Sequence, residues 1–241
     1  MSRVRADLLL VARGLVESRA KARAAIEAGG VLAGGVVVAK PSDLIAEDAT
    51  LDVTAPHPWV SRGGVKLVGA LDAFSVDPKG RICLDVGAST GGFTHVLLSR
   101  GAACVYAVDV GRDQLHASLR GDPRVVSLEQ TDARSLSRTQ IAEPPSLIVC
   151  DASFIGASKV LTTPFALASD QADAIVLIKP QFEAGPKAGR AGVLDEEIAR
   201  TAAQSAIDAL DGREGFHLVA SVDSPIRGGE GNLERLAHFK R

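Results

Sequence analysis

Long apolar runs are missing from this sequence. The longest unbroken stretch in the 241 residues runs from Ala102 to Val108 and ends at Asp109, far short of the ~18–20 residues a membrane-spanning helix needs. A secretory leader is not expected either. The start, Met1-Ser-Arg-Val-Arg-Ala-Asp7, is charged, and Arg13 interrupts Leu8-Leu-Leu-Val-Ala12. Aromatic residues make up only 4%, so a core must be built mainly from Ala, Val, Leu and Ile. The three cysteines, Cys83, Cys104 and Cys150, sit in apolar strand-like runs without metal-ligand spacing. They read as small core residues in a reduced, cytoplasmic compartment. No excess of one charge sign exists: the net of −2 does not by itself point to nucleic acid.

What is present is unevenly arranged. Residues 1–40 hold seven basic side chains (Arg3, Arg5, Arg13, Arg19, Lys21, Arg23, Lys40) against three acidic ones (Asp7, Glu17, Glu27), a net of +4, which leaves −6 on the rest. A basic head on an acidic body suits contact with a polyanion, although two solvated helix faces give the same pattern. Periodicity separates two blocks. In the first, Leu8, Leu9, Ala12, Leu15 and Val16 recur at helical spacing, and Ser18 can cap a second helix, Arg19–Ala28, that Gly29-Gly30 ends. Two β-branched runs, Val31–Ala33 and Val36–Ala39, flank a Gly34-Gly35 turn, and Ala55-Pro-His-Pro58 reads as a linker. In the second block, strand candidates Ile82–Val86, Val105–Val108, Val125–Leu128, Leu147–Cys150 and Ile175–Ile178 alternate with helical segments Gly91–Arg100, Asp113–Leu119, Ala157–Ala168 and Asp195–Leu210. His217–Val222 and Leu236–Lys240 add two late strands. The alternation predicts an α/β fold, a seven-stranded doubly wound sheet with buried parallel strands, behind a small α+β domain. Two glycine-rich loops, Gln181–Gly192 and Ser224–Asn232, are long enough to be functional.

The first of these strands runs into Asp85-Val-Gly-Ala-Ser-Thr-Gly-Gly-Phe93. Gly87, Gly91 and Gly92 let the backbone turn tightly and approach a ligand before a helix begins, with Ala88, Ser89 and Thr90 between them. No Lys-Ser or Lys-Thr follows, so this is not a Walker loop, and the spacing is not the G-x-G-x-x-G of dinucleotide binders. The next strand ends in Asp109, where a carboxylate suits ribose hydroxyls. Thr131-Asp132-Ala133, after the third, can set a carboxylate beside an adenine amino group. Aspartates at three successive strand ends read as an adenosine-binding edge; helix capping is the alternative for each. The loop spacing favours S-adenosylmethionine over NAD.

Further segments run through the chain in order: Val60-Ser-Arg-Gly-Gly-Val-Lys66-Leu67, Val108-Asp-Val-Gly111 with Gln114-Leu115, Asp151-Ala-Ser-Phe-Ile155, Lys179-Pro-Gln-Phe-Glu-Ala-Gly185 and Gly231-Asn-Leu-Glu234. With them the second block resembles an FtsJ-type ribose methyltransferase domain. The whole chain resembles the TlyA family of bacterial rRNA cytidine 2′-O-methyltransferases, also labelled haemolysins. The first block is similar to the S-four type of RNA-binding module, through Leu15-Val-Glu-Ser-Arg-Ala20 and the turn before Lys40-Pro41. The resemblance implies an RNA-binding domain over 1–56, a linker over 57–60 and a Rossmann-like methyltransferase domain over 61–241. It implies a cytoplasmic enzyme that methylates a cytidine ribose in ribosomal RNA, in the 23S RNA with the 16S RNA as a second candidate. S-adenosylmethionine is the implied cofactor, ribosomal RNA or a ribosomal subunit the partner, with no metal, no membrane partner and a monomeric state. There are two departures. Val193-Leu194-Asp195 lacks an arginine that the family often carries there, and the compact ends resemble the shorter type associated with the large subunit alone.

FtsJ-type enzymes use a lysine, aspartate, lysine and glutamate set, which the matching segments carry over to Lys66, Asp151, Lys179 and Glu234. A ribose 2′-hydroxyl is a poor nucleophile until its proton is being removed, and in-line attack on a sulfonium methyl draws much of its rate from positioning. Lys179 follows a buried strand, at the carboxyl edge where open sheets place active sites; there it can orient the hydroxyl or act as base. Asp151 can hold that lysine, and Lys66 and Glu234 complete a charge network. Taken singly, each of the four also suits a solvated or capping position. Gln114, Ala133 and Asp151 join Asp85 to Phe93, Asp109 and Asp132 in the implied cofactor site. Phe93, Phe154 and Phe182 are candidates for stacking on a base or on adenine, with core packing as the alternative. Arg5, Arg19, Lys21, Arg23 and Arg62 are the expected RNA contacts, reading shape and backbone. Three rival readings stand beside this one: a membrane-active haemolysin, a nucleoside-binding module without catalysis, and an NAD enzyme on the same fold. Against the first, no amphipathic helix with a large basic face is evident.

Overall fold

In the computed structural model, which describes residues 2–54, 57–184, 193–228 and 231–241, the chain divides between Pro58 and Trp59 into two units. The first strings together β1 (Arg3–Arg5), α1 (Ala6–Ala12), α2 (Arg19–Glu27), β2 (Val31–Ala33), β3 (Val36–Val37), β4 (Leu44–Ala46) and β5 (Leu51–Val53). Ser18 caps α2 by accepting the Lys21 N–H. Ala6, Leu10, Ala22, Ala25 and Ile26 give the two helices an apolar face that packs on Val31 and Val38. α1 is shorter than the Leu8–Val16 spacing predicts, because Gly14 turns the chain at φ 68°. β1 pairs antiparallel with β4, and β2 with β3 and β5. β1, β4 and β5 were not expected; each is three residues long, too short to show alternation.

The second unit holds α3 (Gly63–Phe74), β6 (Ile82–Val86), α4 (Gly92–Ser99), β7 (Cys104–Val108), α5 (Ala117–Arg120), β8 (Val125–Leu128) and β9 (Leu147–Cys150). There follow α6 (Ala157–Val160), α7 (Thr162–Ala166), β10 (Asp173–Ile178), α8 (Pro180–Glu183), α9 (Glu196–Leu210), β11 (His217–Asp223) and β12 (Arg235–Lys240). Among the described residues its seven strands form one sheet in the order β11-β12-β10-β9-β6-β7-β8. The strands from β10 to β8 are parallel, and β12 runs antiparallel to both β10 and β11. Continuous apolar runs belong to strands covered on both faces. Leu84, Val86, Ile148 and Val176 pack with Phe165 of α7 and Ile207 of α9, while Cys83, Val105, Val149 and Ile175 pack with Leu67 of α3 and Leu97 of α4. Burial pushes the Cys83 and Cys150 thiols up to about 12, so they sit as inert core groups.

Two further expected segments are built differently here. Ala157–Ala168 is two short helices, α6 and α7, because Pro164 brings no N–H and its ring opposes the carbonyl of Val160. The loop expected from Gln181 begins inside α8, which Pro180 starts. Gly185–Gly192 of that loop, Ala55-Pro56 of the linker, and Gly229-Glu230 of the second glycine-rich loop lie outside the described residues. Among the described residues, no helix is long and apolar enough to cross a membrane.

Candidate active site

Strand order turns at β6, with β7 on one side and β9 on the other. In open α/β sheets a crevice opens at such a point, beyond the carboxyl ends of the strands. The local sequence builds it here. The N–H groups of Gly87 (φ 81°) and Ala88 both donate to the Val108 carbonyl, and Gly91 (φ 91°) leads into α4. A Cβ on Gly87 would stand 2.8 Å from Ala152 Cα, so the loop backbone lies flush on the segment after β9. Gly87→Ala is therefore expected to strain both backbones and to weaken S-adenosylmethionine binding by about tenfold or more, the equivalent of ~1.4 kcal/mol. Calorimetric titration checks this, and unchanged affinity would contradict it.

Asp109 ends β7. Its Oδ2 accepts the Ser89 N–H at 2.8 Å and its Oδ1 the Gly111 N–H at 2.7 Å, which ties the glycine loop to the loop after β7. Glu129, after β8, accepts the N–H groups of Asp113, Gln114 and Leu115 at 3.1, 2.7 and 2.9 Å. These bonds, the Leu115 N–H foremost, hold its carboxyl below the usual range. They also keep residues 113–115 out of the helix predicted over Asp113–Leu119, which is confined to α5. Glu129 was not among the expected site residues: one acid past a strand does not reveal three N–H groups that gather on it only in the fold.

Beyond the strand ends lies a cavity of about 590 Å³, a volume common for cofactor sites. Gly87, Ser89, Asp109, Gln114, Asp132, Ala133 and Asp151 line it, together with Arg134, Ser153, Phe154 and Ile155. Ala88, Thr90, Gly91 and Gly92 shape the turn without lining the cavity. Asp85 and Phe93 lie inside the protein. Asp85 is fully buried; its Oδ2 accepts the Thr94 N–H and hydroxyl at 2.9 and 2.7 Å, and its Oδ1 has no donor among the described residues. Burial, with the Asp151 charge adding, pushes its carboxyl up to about 7 against the pull of the Thr94 hydrogen bonds. The pleat explains the placement: Leu84 and Val86 turn to one face, Asp85 to the other, under α4. Phe93 is 2% exposed in the α3–α4 core, so core packing takes the place of ligand stacking. Asp132 caps the turn Ala133–Ser135 through the Arg134 N–H at 2.9 Å and holds the Arg134 guanidinium at 2.5 Å. That guanidinium keeps its carboxyl below the usual range.

The Lys179 Nζ stands 2.6 Å from Asp151 Oδ1 and donates to the Asp151 carbonyl at 3.0 Å and to Ser153 Oγ at 2.7 Å. Lys66 and Glu234 form a second ion pair, with side chains only 8% and 3% exposed. Register brings these groups to one edge. β10 pairs with β9 as far as Val176↔Cys150 and with β12 as far as Ile178↔Arg235, so Asp151, Lys179 and Glu234 lie just past the ends of adjacent strands. Lys66 arrives on α3, whose first residue, Gly63, touches the same edge: a Cβ there would be 3.4 Å from Asp151 Oδ2. Trp59 docks on this helix. A Cβ on Gly64 would run into Trp59 Cγ, and the Trp59 ring stands edge-on to His95 of α4 at 5.4 Å.

α8 grips the segment after β9 at further points. Glu183 accepts the Ala157 N–H at 2.8 Å, and the Phe182 ring lies 5.1 Å from that of Phe154. Burial raises the Glu183 carboxyl above its usual range. Phe154 takes φ 67° and is 90% exposed. A positive φ on a bulky residue is strain that packing does not explain here. Of the expected RNA contacts, Arg5 and Arg19 share the carboxylate of Asp7 at 2.9 and 3.0 Å, and Lys21 pairs with Glu17 at 2.7 Å. Arg23 is exposed, and Arg62 donates to the Arg227 carbonyl at 3.1 Å.

The strand order, the glycine loop and the cavity beyond it define a Rossmann-like methyltransferase domain. The family model of FtsJ-like methyltransferases matches residues 59–241, and that of the S4 domain residues 4–51. The chain belongs to the FtsJ-like methyltransferase family, in the group that TlyA represents. It is 46% identical to the 16S/23S rRNA (cytidine-2′-O)-methyltransferase TlyA of Mycobacterium tuberculosis, over 96% of this chain and 88% of that protein. Hemolysin A of Brachyspira hyodysenteriae is 41% identical over 98% of this chain and 99% of its own length. A solved structure from Streptococcus thermophilus, described as a hemolysin, aligns with a TM-score of 0.72 at 37% identity, covering 100% of this chain and 89% of that one.

Proposed function

We propose that the protein transfers the methyl group of S-adenosylmethionine to the 2′-hydroxyl of a cytidine in ribosomal RNA, the 23S RNA first and the 16S RNA as the second candidate. The observation that carries this reading is the Lys179–Asp151 pair at the rim of a nucleoside-sized cavity. The cavity fits the cofactor: the Gly87 backbone in its wall, the carboxylate of Asp109 and the apolar Ala133 and Ile155 suit the parts of an adenosine. Gly87, Ser89, Asp109, Gln114, Asp132 and Ala133 would hold it. When bound, the cofactor supplies an electrophilic methyl on a sulfonium.

The chain's own residues supply the rest. A ribose hydroxyl that displaces the Ser153 hydroxyl meets Lys179 Nζ at hydrogen-bond distance. Lys179 releases a proton from Nζ to solvent and then takes the hydroxyl proton at that atom as the oxygen attacks. The ammonium so formed donates one N–H to the Asp151 carbonyl, and its charge faces Asp151 Oδ1 at 2.6 Å. A positioned base of this kind contributes ~10²–10⁴-fold. The buried Lys66–Glu234 pair walls the same edge with balanced charge. The exposed, strained Phe154 offers its face to the target base. Phe154→Ala is expected to raise the KM for RNA by about 5- to 150-fold, the equivalent of ~1–3 kcal/mol of stacking, with cofactor affinity nearly unchanged. An equal loss of cofactor affinity would assign the ring to adenine.

The net +4 of residues 1–40 supports contact with a polyanion. Work on ribosomal RNA sets the cytoplasm as the place of action, and a monomer is the expected state. A haemolysin reading rests on the names of relatives alone. Labelled-methyl transfer to isolated large and small ribosomal subunits, offered separately, tests the proposal alongside a vesicle-leakage assay. Label is expected in the RNA of the large subunit, without leakage. Label in neither RNA, with the cofactor bound, would overturn it.

A further inference from the structure

Asp7, in the first turn of α1, has no exposed surface, yet both partners of its carboxylate reach in from the surface. Arg5 donates from Nε to Oδ1 at 2.9 Å and from Nη2 to Oδ2 at 3.0 Å. Arg19, the first residue of α2, donates from Nη2 to the same Oδ2 at 3.0 Å. The two Nη2 atoms are each 3.0 Å from one oxygen, hence no more than about 6 Å apart. The side chains remain 43% and 59% exposed. Nη1 of Arg5, and Nε and Nη1 of Arg19, are not used on Asp7. The nearest acid in sequence to Arg19, Glu17, faces Lys21 at 2.7 Å. One carboxylate between two guanidiniums leaves the cluster with a net positive charge, and it fixes two side chains that are otherwise free to swing.

We infer that Asp7 is a positioning residue that presents Arg5 and Arg19 as one preformed clip for a single RNA backbone phosphate. This rests on the RNA reading above and deepens it. Each guanidinium is a planar fork, and a phosphodiester offers two unesterified oxygens to which two forks can donate at once. Both forks already meet on Asp7 with N–H groups to spare, so together they can span the two oxygens of a phosphodiester.

The full chain, filter-bound to purified 23S rRNA across a series of KCl concentrations, tests the clip. Asp7→Asn raises the net charge by one. If charge alone mattered, affinity would rise. The clip predicts the reverse: a fall of about tenfold and a salt slope lower by about one. Arg5→Lys and Arg19→Lys keep the charge but lose the fork, and each is expected to lower affinity about fivefold. They decide the matter if Asp7→Asn fails to fold by circular dichroism. Arg5→Ala, Arg19→Ala and the double variant should each lower the slope by about one, because one phosphate is shared. Tighter binding by folded Asp7→Asn, lysine variants that bind like the parent, or slopes that add in the double variant would overturn the clip and leave RNA binding standing. A parent protein that does not bind the RNA would overturn both.

Discussion

Lys179→Ala is expected to lower methyl transfer by ~10²–10⁴-fold or more while cofactor affinity changes by less than about twofold. The split follows from position. Lys179 does not line the cavity; its Nζ is spent on Asp151 and Ser153 at the rim. Removing it takes away the proton acceptor and lets the 151–157 segment lose one of its ties to α8, but leaves the glycine loop and Asp109 in place. Lys179→Arg should not rescue activity, because a guanidinium does not deprotonate in proteins and its fork does not fit between the Asp151 carbonyl and the Ser153 hydroxyl. Single-turnover rates with saturating RNA, set beside calorimetric cofactor titration, read both quantities. Near-parental turnover by Lys179→Ala would remove this residue from the chemistry.

The second large effect concerns stability as well as rate. Lys66 and Glu234 are an ion pair with 8% and 3% exposed side chains. Removing one partner of such a pair leaves a desolvated charge and costs ~3–5 kcal/mol. For a unit of this size that lowers Tm by roughly 6–20 °C. Glu234→Ala should show this shift along with loss of activity, and a loss of activity alone would not separate the two roles. Replacing both, Lys66→Met with Glu234→Leu, removes the uncompensated charge and should recover most of the stability. Activity should stay low in the double variant. Recovery of turnover with stability would make the pair structural only.

The central sheet was legible because its parallel strands are covered on both faces and so read as unbroken apolar runs, Leu147–Cys150 being the clearest. The edge of the candidate site was legible for a related reason: the residues proposed for it, Asp109, Asp151 and Lys179, stand where those runs stop. What the sequence hid is tertiary. Glu129 reshapes residues 113–115 by collecting their N–H groups. Asp85 and Phe93 belong to the glycine motif but point under α4, a matter of pleat and helix packing that a motif does not carry. Asp132 carries its own capping role, the alternative reading for any aspartate at a strand end. The exposed, positive-φ Phe154 looks in the sequence like any apolar residue before Ile155. Arg5 and Arg19, simple basic residues in a list, converge on one buried carboxylate only when β1, α1 and α2 are folded together.

The transferred methyl is expected to end on a ribose oxygen. Nuclease digestion of large-subunit RNA labelled by the protein, followed by mass spectrometry of the nucleosides, tests it directly. The expected product is 2′-O-methylcytidine carrying the label, present with the parent protein and absent with Lys179→Ala. Label on a nucleobase, or on a ribose of another nucleotide, would contradict it.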